Sequence, residues 1–446
     1  MSFSIWRDRL VLLIIALLPW QARYIKELAA LGDAPWEQGT VSLFAVEALM
    51  LAALACHFLA GSAACPAKSA GGGSASGGKT ETPMSFQLWA LILAFALVSV
   101  FWGADTLTGL FTWLRLFDGF ALAWLIWMSN LSLRRCLAAF LVGGVFAAAV
   151  GVIQFFSQTA PASTWLGMAA HDAAEAGTAV IETAGGRFLR AYGTLPHPNV
   201  FGGFMAVAML ASLALAVDTE QKKRRAVFMA LSGVFTIGLI VSFSRSAWMG
   251  YAAALLLIIM FGWARRRPED RPRFKKAVFI QCAVAAIMLA LVWPLAATRV
   301  SAAGRLETQS FSDRRVILGQ AVELFKRHYA VGTGLGNMVP AAYQELPYEG
   351  DDYLYQPVHV VPALVAVELG FFGIAALLAA AWAWASEARL LFRTARRSLI
   401  QFAAIAPVIL GVVAFFDHYL LTQLAGTMLS GFVLGVFYKA QDTVGN

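Results

Sequence analysis

Charge is scarce in this sequence. Lysine, arginine, aspartate and glutamate supply 13% of its 446 residues, about half the roughly 25% of an ordinary soluble domain. That scarcity excludes a chain built from several water-facing cores. Cysteine is scarce too. Cys56, Cys65, Cys136 and Cys282 lie in or beside predicted spans or in a linker. None has a partner in a long loop, so neither a disulfide framework nor a thiolate zinc site is indicated. Period-2 alternation is missing, which excludes an outer-membrane barrel. The two halves of the chain show no repeat, which argues against an inverted-repeat transporter.

What is present is apolar. Hydrophobic residues make up 59% of the chain. They run in unbroken blocks such as 41–60, 88–102, 138–156, 200–217 and 277–297, each close to the roughly 20 residues that cross about 30 Å of hydrocarbon. The sequence predicts an all-α polytopic membrane protein, a bundle of about twelve transmembrane helices with a partly helical periplasmic loop. Residues 1–446 form a single integral-membrane domain. Spans are expected near 9–25, 40–60, 86–103, 114–130, 135–157, 199–217, 226–243, 246–263, 277–297, 361–385, 399–418 and 420–438. The first block follows Arg7 and Arg9 and could pass for a signal peptide. It lacks a small-residue cleavage site and more spans follow, so it reads as an uncleaved, short first helix.

Orientation follows from the basic residues in the connections. Lys222, Lys223, Arg224 and Arg225 crowd 218–225, seven basic residues occupy 264–276, and four occupy 386–398. All three connections fall on one side with both termini, and that side is the cytoplasm. The net charge of +8 is mostly this bias and needs no nucleic-acid partner. Residues 61–84, rich in Gly, Ser and Ala, read as a flexible cytoplasmic linker. Two long connections, 157–198 and 298–360, face the periplasm. Within the second, residues 313–326 place Val316, Ile317, Leu318, Ala321, Val322, Leu324 and Phe325 largely on one side of an amphipathic helix, capped by Ser312 and Asp313 and ending before Gly332.

Positive residues are disfavoured in short translocated connections, yet they gather here. Arg245 sits between Ser244 and Ser246 with almost no loop around it. Arg190 opens the string Arg190-Ala-Tyr-Gly193-Thr-Leu-Pro-His197-Pro198-Asn199, which runs straight into a span. The late loop adds Arg299, Arg305, Arg314 and Arg315 and ends on His359. A phosphate-bearing substrate explains such a gathering, because guanidinium forks pair bidentately with phosphate and stay charged. Arg299, Arg305 and Arg315 read first as solvated or as partners of lipid headgroups. His57 and His418 read as structural, His171 and His328 as exposed loop residues. The adjacent acids Asp351 and Asp352 could hold a divalent cation, but a solvated loop is their ordinary role and no metal site is assigned.

Four of these strings resemble, in order, the motifs of the O-antigen ligase and polymerase family. The first is Arg190-x-x-Gly193-x-x-x-His197-Pro198-Asn199 and the second Ser244-Arg245-Ser246. The third is Arg314 with Leu318, then Gly332-x-Gly334-x-Gly336-Asn337, and the fourth His359 with Glu368, Gly370 and Gly373. Val360 and Leu318 replace the family's usual Asn and Trp. The resemblance runs from about residue 187 to 373 and extends to the topology of about twelve helices with a large late periplasmic loop.

It implies a glycosyltransferase of the Gram-negative inner membrane that moves O-antigen glycan from undecaprenyl diphosphate to lipid A–core oligosaccharide. No cofactor or metal is implied. In that chemistry Arg190, Arg245 and Arg314 hold the diphosphate. His359 takes the proton of the acceptor hydroxyl, and attack in one step inverts the anomeric centre. His197, Asn199, Arg305 and Arg315 are secondary candidates, and grooves between spans take the lipid tails. O-antigen polymerases and protein O-oligosaccharyltransferases share the motifs and the donor. Ligase is favoured because the late loop is compact and nothing marks a second lipid-linked glycan. A flippase is disfavoured because the mid-span positions are largely apolar.

Overall fold

In hydrocarbon every backbone N–H and C=O must be satisfied within the chain, so apolar blocks of this length become helices. The computed structural model describes residues 2–32, 34–61, 82–301, 304–347 and 352–444. Cys65, Asp351 and most of the expected linker lie outside the described residues. The helices are α1 (Phe3–Ala16), α2 (Ala45–Leu59), α3 (Met84–Ser99), α4 (Thr106–Met128), α5 (Leu133–Ser157), α6 (Pro198–Asp218), α7 (Lys222–Val241) and α8 (Arg245–Leu257). They continue with α9 (Arg271–Leu291), α10 (Trp293–Ser301), α11 (Arg305–Arg327), α12 (Met338–Glu345), α13 (Val361–Thr394), α14 (Ser398–Ala414), α15 (Tyr419–Thr422) and α16 (Leu424–Val444).

Among the described residues, eight helices are long and apolar enough to cross a membrane: α3 to α9, three of them with short extensions, and α13. The chain is a multi-pass membrane protein. The four further spans expected from sequence fall on α1, α2, α14 and α16, and of these α1, α2 and α14 are only 14, 15 and 17 residues long.

Several boundaries differ from expectation, each for a local reason. The first helix stops at Ala16 instead of continuing to 25, since the residue before Pro19 is pushed out of the helical region. The chain that follows makes antiparallel hairpins, pairing β1 (Arg23–Glu27) with β4 (Val41–Phe44) and β2 (Ala30–Leu31) with β3 (Ala34–Pro35). The block 277–297 breaks at Val292, because Pro294 has no N–H to continue the ladder. A third hairpin, β5 (Val180–Thr183) with β6 (Gly186–Leu189), lies in the connection before α6. The amphipathic helix α11 begins at Arg305, eight residues earlier than expected, and buries Glu307, Ile317, Gln320, Ala321 and Leu324. Charge also enters the spans: Arg115, 5% exposed, and Asp118 lie within α4, and Glu47 in the first turn of α2.

α6 decides where the site falls. Its whole length is buried in protein, with α5, α7, α8, α9 and α14 packed round it. Gly202 and Gly203 let neighbours approach its second turn. A Cβ on Gly202 would stand 2.6 Å from the Ser244 Cβ, and one on Gly203 2.1 Å from the Tyr419 hydroxyl. The turn between α7 and α8 and the turn before α15 therefore both close on the N-terminus of α6.

Candidate active site

The string before α6 is held rigidly from below. Gln154 of α5, 3% exposed, accepts from the backbone N–H of Tyr192 (3.1 Å) and Gly193 (2.8 Å) and donates to Gly193 O (2.9 Å). Arg190, 4% exposed, donates from Nε to Ser242 O (2.9 Å) and from Nη2 to Asn199 Oδ1 (2.7 Å) and Phe243 O (3.4 Å). Phe243 has φ +48°, a left-handed conformation that a bulky residue adopts only where its surroundings enforce it. The strained turn aims two carbonyls at two arginines, since Arg299 Nε also donates to Phe243 O (3.1 Å). Arg190 is thus braced by protein at two of its three nitrogens.

A cluster of cations lies beyond that turn. Arg245, the first residue of α8, donates from Nη1 to Arg299 O (3.2 Å), and its Nη2 stands 3.1 Å from Glu307 Oε2. Its guanidinium lies 5.5 Å from the centre of the Phe311 ring. Arg299 pairs with the other oxygen of Glu307. Arg314 is half-buried, and its Nε is buried without a partner. Four guanidinium groups against the carboxylates of Glu307 and Asp417 leave the region net positive. Such a partly dehydrated site attracts an anion strongly, because screening by water is reduced.

The third part comes from histidines and one aspartate. Asn199 donates from Nδ2 to Asp417 Oδ2 (2.6 Å), completing a chain from Arg190 through Asn199 to Asp417. His197 caps α6, its Nδ1 accepting from Asn199 N (3.1 Å), so its neutral ring carries the proton on Nε2 and offers a donor. His418 is the reverse. Thr422 Oγ1 donates to His418 O (3.2 Å), so it accepts from His418 Nδ1–H (2.7 Å), which leaves the lone pair on Nε2. The His359 ring meets that of His418 edge to face, 5.0 Å between centres, and its Nδ1 is buried without a partner.

Burial lowers the proton affinity of His359, and His418 and Arg314 lower it further, against the opposing field of Asp417. Burial and Arg190 do the same to His197, and burial to His418. Burial would raise the Asp417 carboxyl, but His418, His197, His359 and the Asn199 amide hold it below its ordinary value. All three rings are therefore neutral near pH 7 beside an ionised carboxylate.

One scaffold orders these parts. α13 is interrupted at Gly370 (φ +64°, ψ −160°), where a Cβ would stand 2.4 Å from Ala330 O. The freed backbone binds the glycine-rich loop: Gly334 N donates to Glu368 O (2.9 Å), Thr333 N to Val367 O (2.9 Å) and Phe371 N to Tyr329 O (2.8 Å). The buried Glu368 carboxylate accepts from Met338 N (3.5 Å). The third and fourth strings are thus one joint between α11, which carries Arg314, and α13, which His359 precedes.

Of the residues singled out by sequence, the structure brings together Arg190, His197, Asn199, Arg245, Arg314 and His359. It leaves out Arg315, which is exposed, and Arg305, which is exposed and paired with Glu182 (3.0 Å). Arg299 is paired with Glu307 and is not the solvated loop residue expected. His418 is part of the cluster and not a separate structural histidine. His171 is stacked on Tyr192 and His328 is bonded to Glu345 (2.8 Å), so neither is a free loop residue. Asp417, Glu307 and Gln154 were missed. Asp417 and His418 carried the signal that marked Arg245, polar side chains in a short connection between two apolar blocks.

Residues 227–378 match the family model described as O-antigen ligase. That stretch holds Arg245, Arg299, Glu307, Arg314, His359 and Glu368. Arg190, His197 and Asn199 precede it, and Asp417 and His418 follow it. A search of curated proteins finds no match.

Proposed function

We propose, given that the chain belongs to the O-antigen ligase family of membrane glycan transferases, that it transfers O-antigen glycan from undecaprenyl diphosphate to lipid A–core oligosaccharide at the periplasmic face of a Gram-negative inner membrane. The observation that carries this reading is the net-positive group of Arg245, Arg299 and Arg314 beside three neutral histidines. The acceptor hydroxyl oxygen forms a bond to the anomeric carbon as the bond from that carbon to the diphosphate breaks. The bonding electron pair leaves on the phosphate oxygen. Preorganised guanidinium groups hold that growing charge without a proton donor. His359 takes the hydroxyl proton, and Asp417 stabilises the imidazolium that forms. Attack opposite the leaving group inverts the anomeric centre.

Arg190 contributes chiefly by holding the Ser242–Phe243 turn and, through Asn199, Asp417. His197 offers its Nε2–H to the diphosphate. The arginine cluster serves equally an O-antigen polymerase or a protein O-oligosaccharyltransferase, which differ only in acceptor. The test is to incubate the purified protein in detergent with lipid-linked glycan and lipid A–core. Ligated lipopolysaccharide is expected. Product lengthened on the lipid carrier would assign a polymerase, and no transfer without a membrane to cross would point to a flippase.

A further inference from the structure

A cavity of about 280 Å³ borders the string that runs into α6, with Tyr192, Gly193, Leu195 and Pro196 in its lining. It lies close to the lower end of the roughly 300–1,000 Å³ of small-molecule sites. The hairpin of β1 and β4, the connection after α5, α4, and the turn before α16 enclose it. Its lining is polar for a space reached by a membrane helix, and it includes Gln21, Arg23, Arg115, His171, Tyr192 and Gln423.

Three features of that lining point to a ligand. Arg115 is buried at 5% exposure, and its Nη2 has no hydrogen-bond partner. A guanidinium nitrogen buried without a partner costs free energy unless something else fills the place. Gln423 Oε1 is likewise buried without a partner, an acceptor waiting for a hydroxyl. Finally, His171 and Tyr192 stack with ring centres 3.9 Å apart and planes within 13°. The pair makes a flat, rigid platform of the kind a sugar ring's C–H face packs on.

The cavity reaches the histidine group through two of its lining residues. Tyr192 stands 6.3 Å from the His197 ring, and Thr422, which lines the cavity, holds His418. The arginine cluster reaches the same group through other residues, Arg190 by its hydrogen bond to Asn199 and Arg314 by its field at His359. A displacement opposite the leaving group needs its two partners on two sides. With diphosphate on the arginines, the cavity is where the attacking sugar belongs.

We propose that this cavity seats an acidic sugar of the acceptor, a phosphorylated or carboxylated pyranose, with its ring on the His171–Tyr192 stack and its acid group on Arg115. This assignment rests on the glycan-transfer reading above. It adds the subsite, and it adds the charge of the sugar.

Two substitutions in the full chain test it. Ala169→Trp plugs the cavity from an exposed loop position on its lining, so folding is preserved. Arg115→Gln with Asp118→Asn removes the anion contact without stranding the carboxylate. Titration calorimetry in detergent uses core oligosaccharide freed of its acyl chains, with its phosphates and after phosphatase. Wild type should bind the phosphorylated form at least about tenfold more tightly than the treated one, as a charged hydrogen bond is worth. Ala169→Trp should abolish binding, and the double variant should lose the preference for phosphate. In transfer assays the acceptor KM should rise about tenfold in both, with the donor KM unchanged. Equal binding in wild type and Ala169→Trp overturns the proposal. So does a rise in donor KM alone, which would give the cavity to the donor's glycan. Binding that Ala169→Trp abolishes, with no ligated product in wild type, supports the chamber and removes the transfer reading alone.

Discussion

Asn199 and Asp417, 218 positions apart, share a hydrogen bond of 2.6 Å from Nδ2 to Oδ2. Through it the motif at the start of α6 is tied to the turn before α15, which lies beyond the matched family domain. Asn199 also accepts from Arg190, so one amide passes orientation from a buried cation to the carboxylate that faces the histidines.

The first prediction concerns pH. A base acts when neutral, so transfer falls as pH drops through the pKa of His359. Burial, His418 and Arg314 place that pKa below the ordinary imidazole value. Transfer should therefore persist at pH 6 and fall only further into the acid range. Asp417→Asn removes a field that raises the pKa, so the acid limb should move lower still while the maximal rate drops. A pH–rate profile of each protein decides this, and activity rising towards acid would mean that His359 works as a cation. His359→Ala should lose roughly 10²–10⁴-fold in rate with donor affinity little changed.

Arginine substitutions separate the cluster from its surroundings. Arg245→Ala, Arg299→Ala and Arg314→Ala should each cost roughly 10²–10³ in rate. Arg245→Lys should recover little, because a point charge cannot reproduce the fork. Arg305→Ala and Arg315→Ala should stay near wild type, since both side chains are exposed and Arg305 pairs with Glu182. Steady-state rates across the set are the measurement. Full activity in Arg245→Lys would reduce the site to simple attraction.

The joint at Gly370 offers a stability test. Alanine there must adopt φ +64° and place its Cβ against Ala330 O, so Gly370→Ala should cost at least roughly 1–3 kcal/mol. Thermal unfolding in detergent should show a lower midpoint. Activity should fall with it, because Arg314 and His359 are placed from the two sides of this joint.

Topology can be read with reporter fusions. Fusions after Arg225, Lys276 and Arg397 should report cytoplasm, and fusions near Ala176 and Gln344 periplasm. A cytoplasmic report at Gln344 would put the arginine cluster in the wrong compartment for the donor.

Much of the site was legible where its chemistry is contiguous. Arg190 to Asn199, Ser244 to Ser246 and His359 each stand at the end of an apolar block, where a charge is costly enough to demand a reason. The strands escaped notice because runs of two to five residues leave almost no periodicity to detect. Arg299 and Arg305 looked alike as loop arginines. Only the fold, which brings Glu307 in the first turn of α11 to Arg299 of α10, gave one of them a buried partner and left the other to the surface.

The sequence by itself determined that this is a membrane bundle, where most helices run, and which strings hold cations. Those properties depend on transfer of each segment into hydrocarbon, a sum over neighbouring residues. Tertiary structure alone decided that His359 faces His418, that Glu307 stands among three arginines, and that Arg115 lines a cavity with Tyr192 and Thr422. Such contacts depend on how close helices approach, which Gly202 and Gly203 permit at α6. They also depend on hydrogen bonds such as that between Asn199 and Asp417, whose partners have no local relation in the chain.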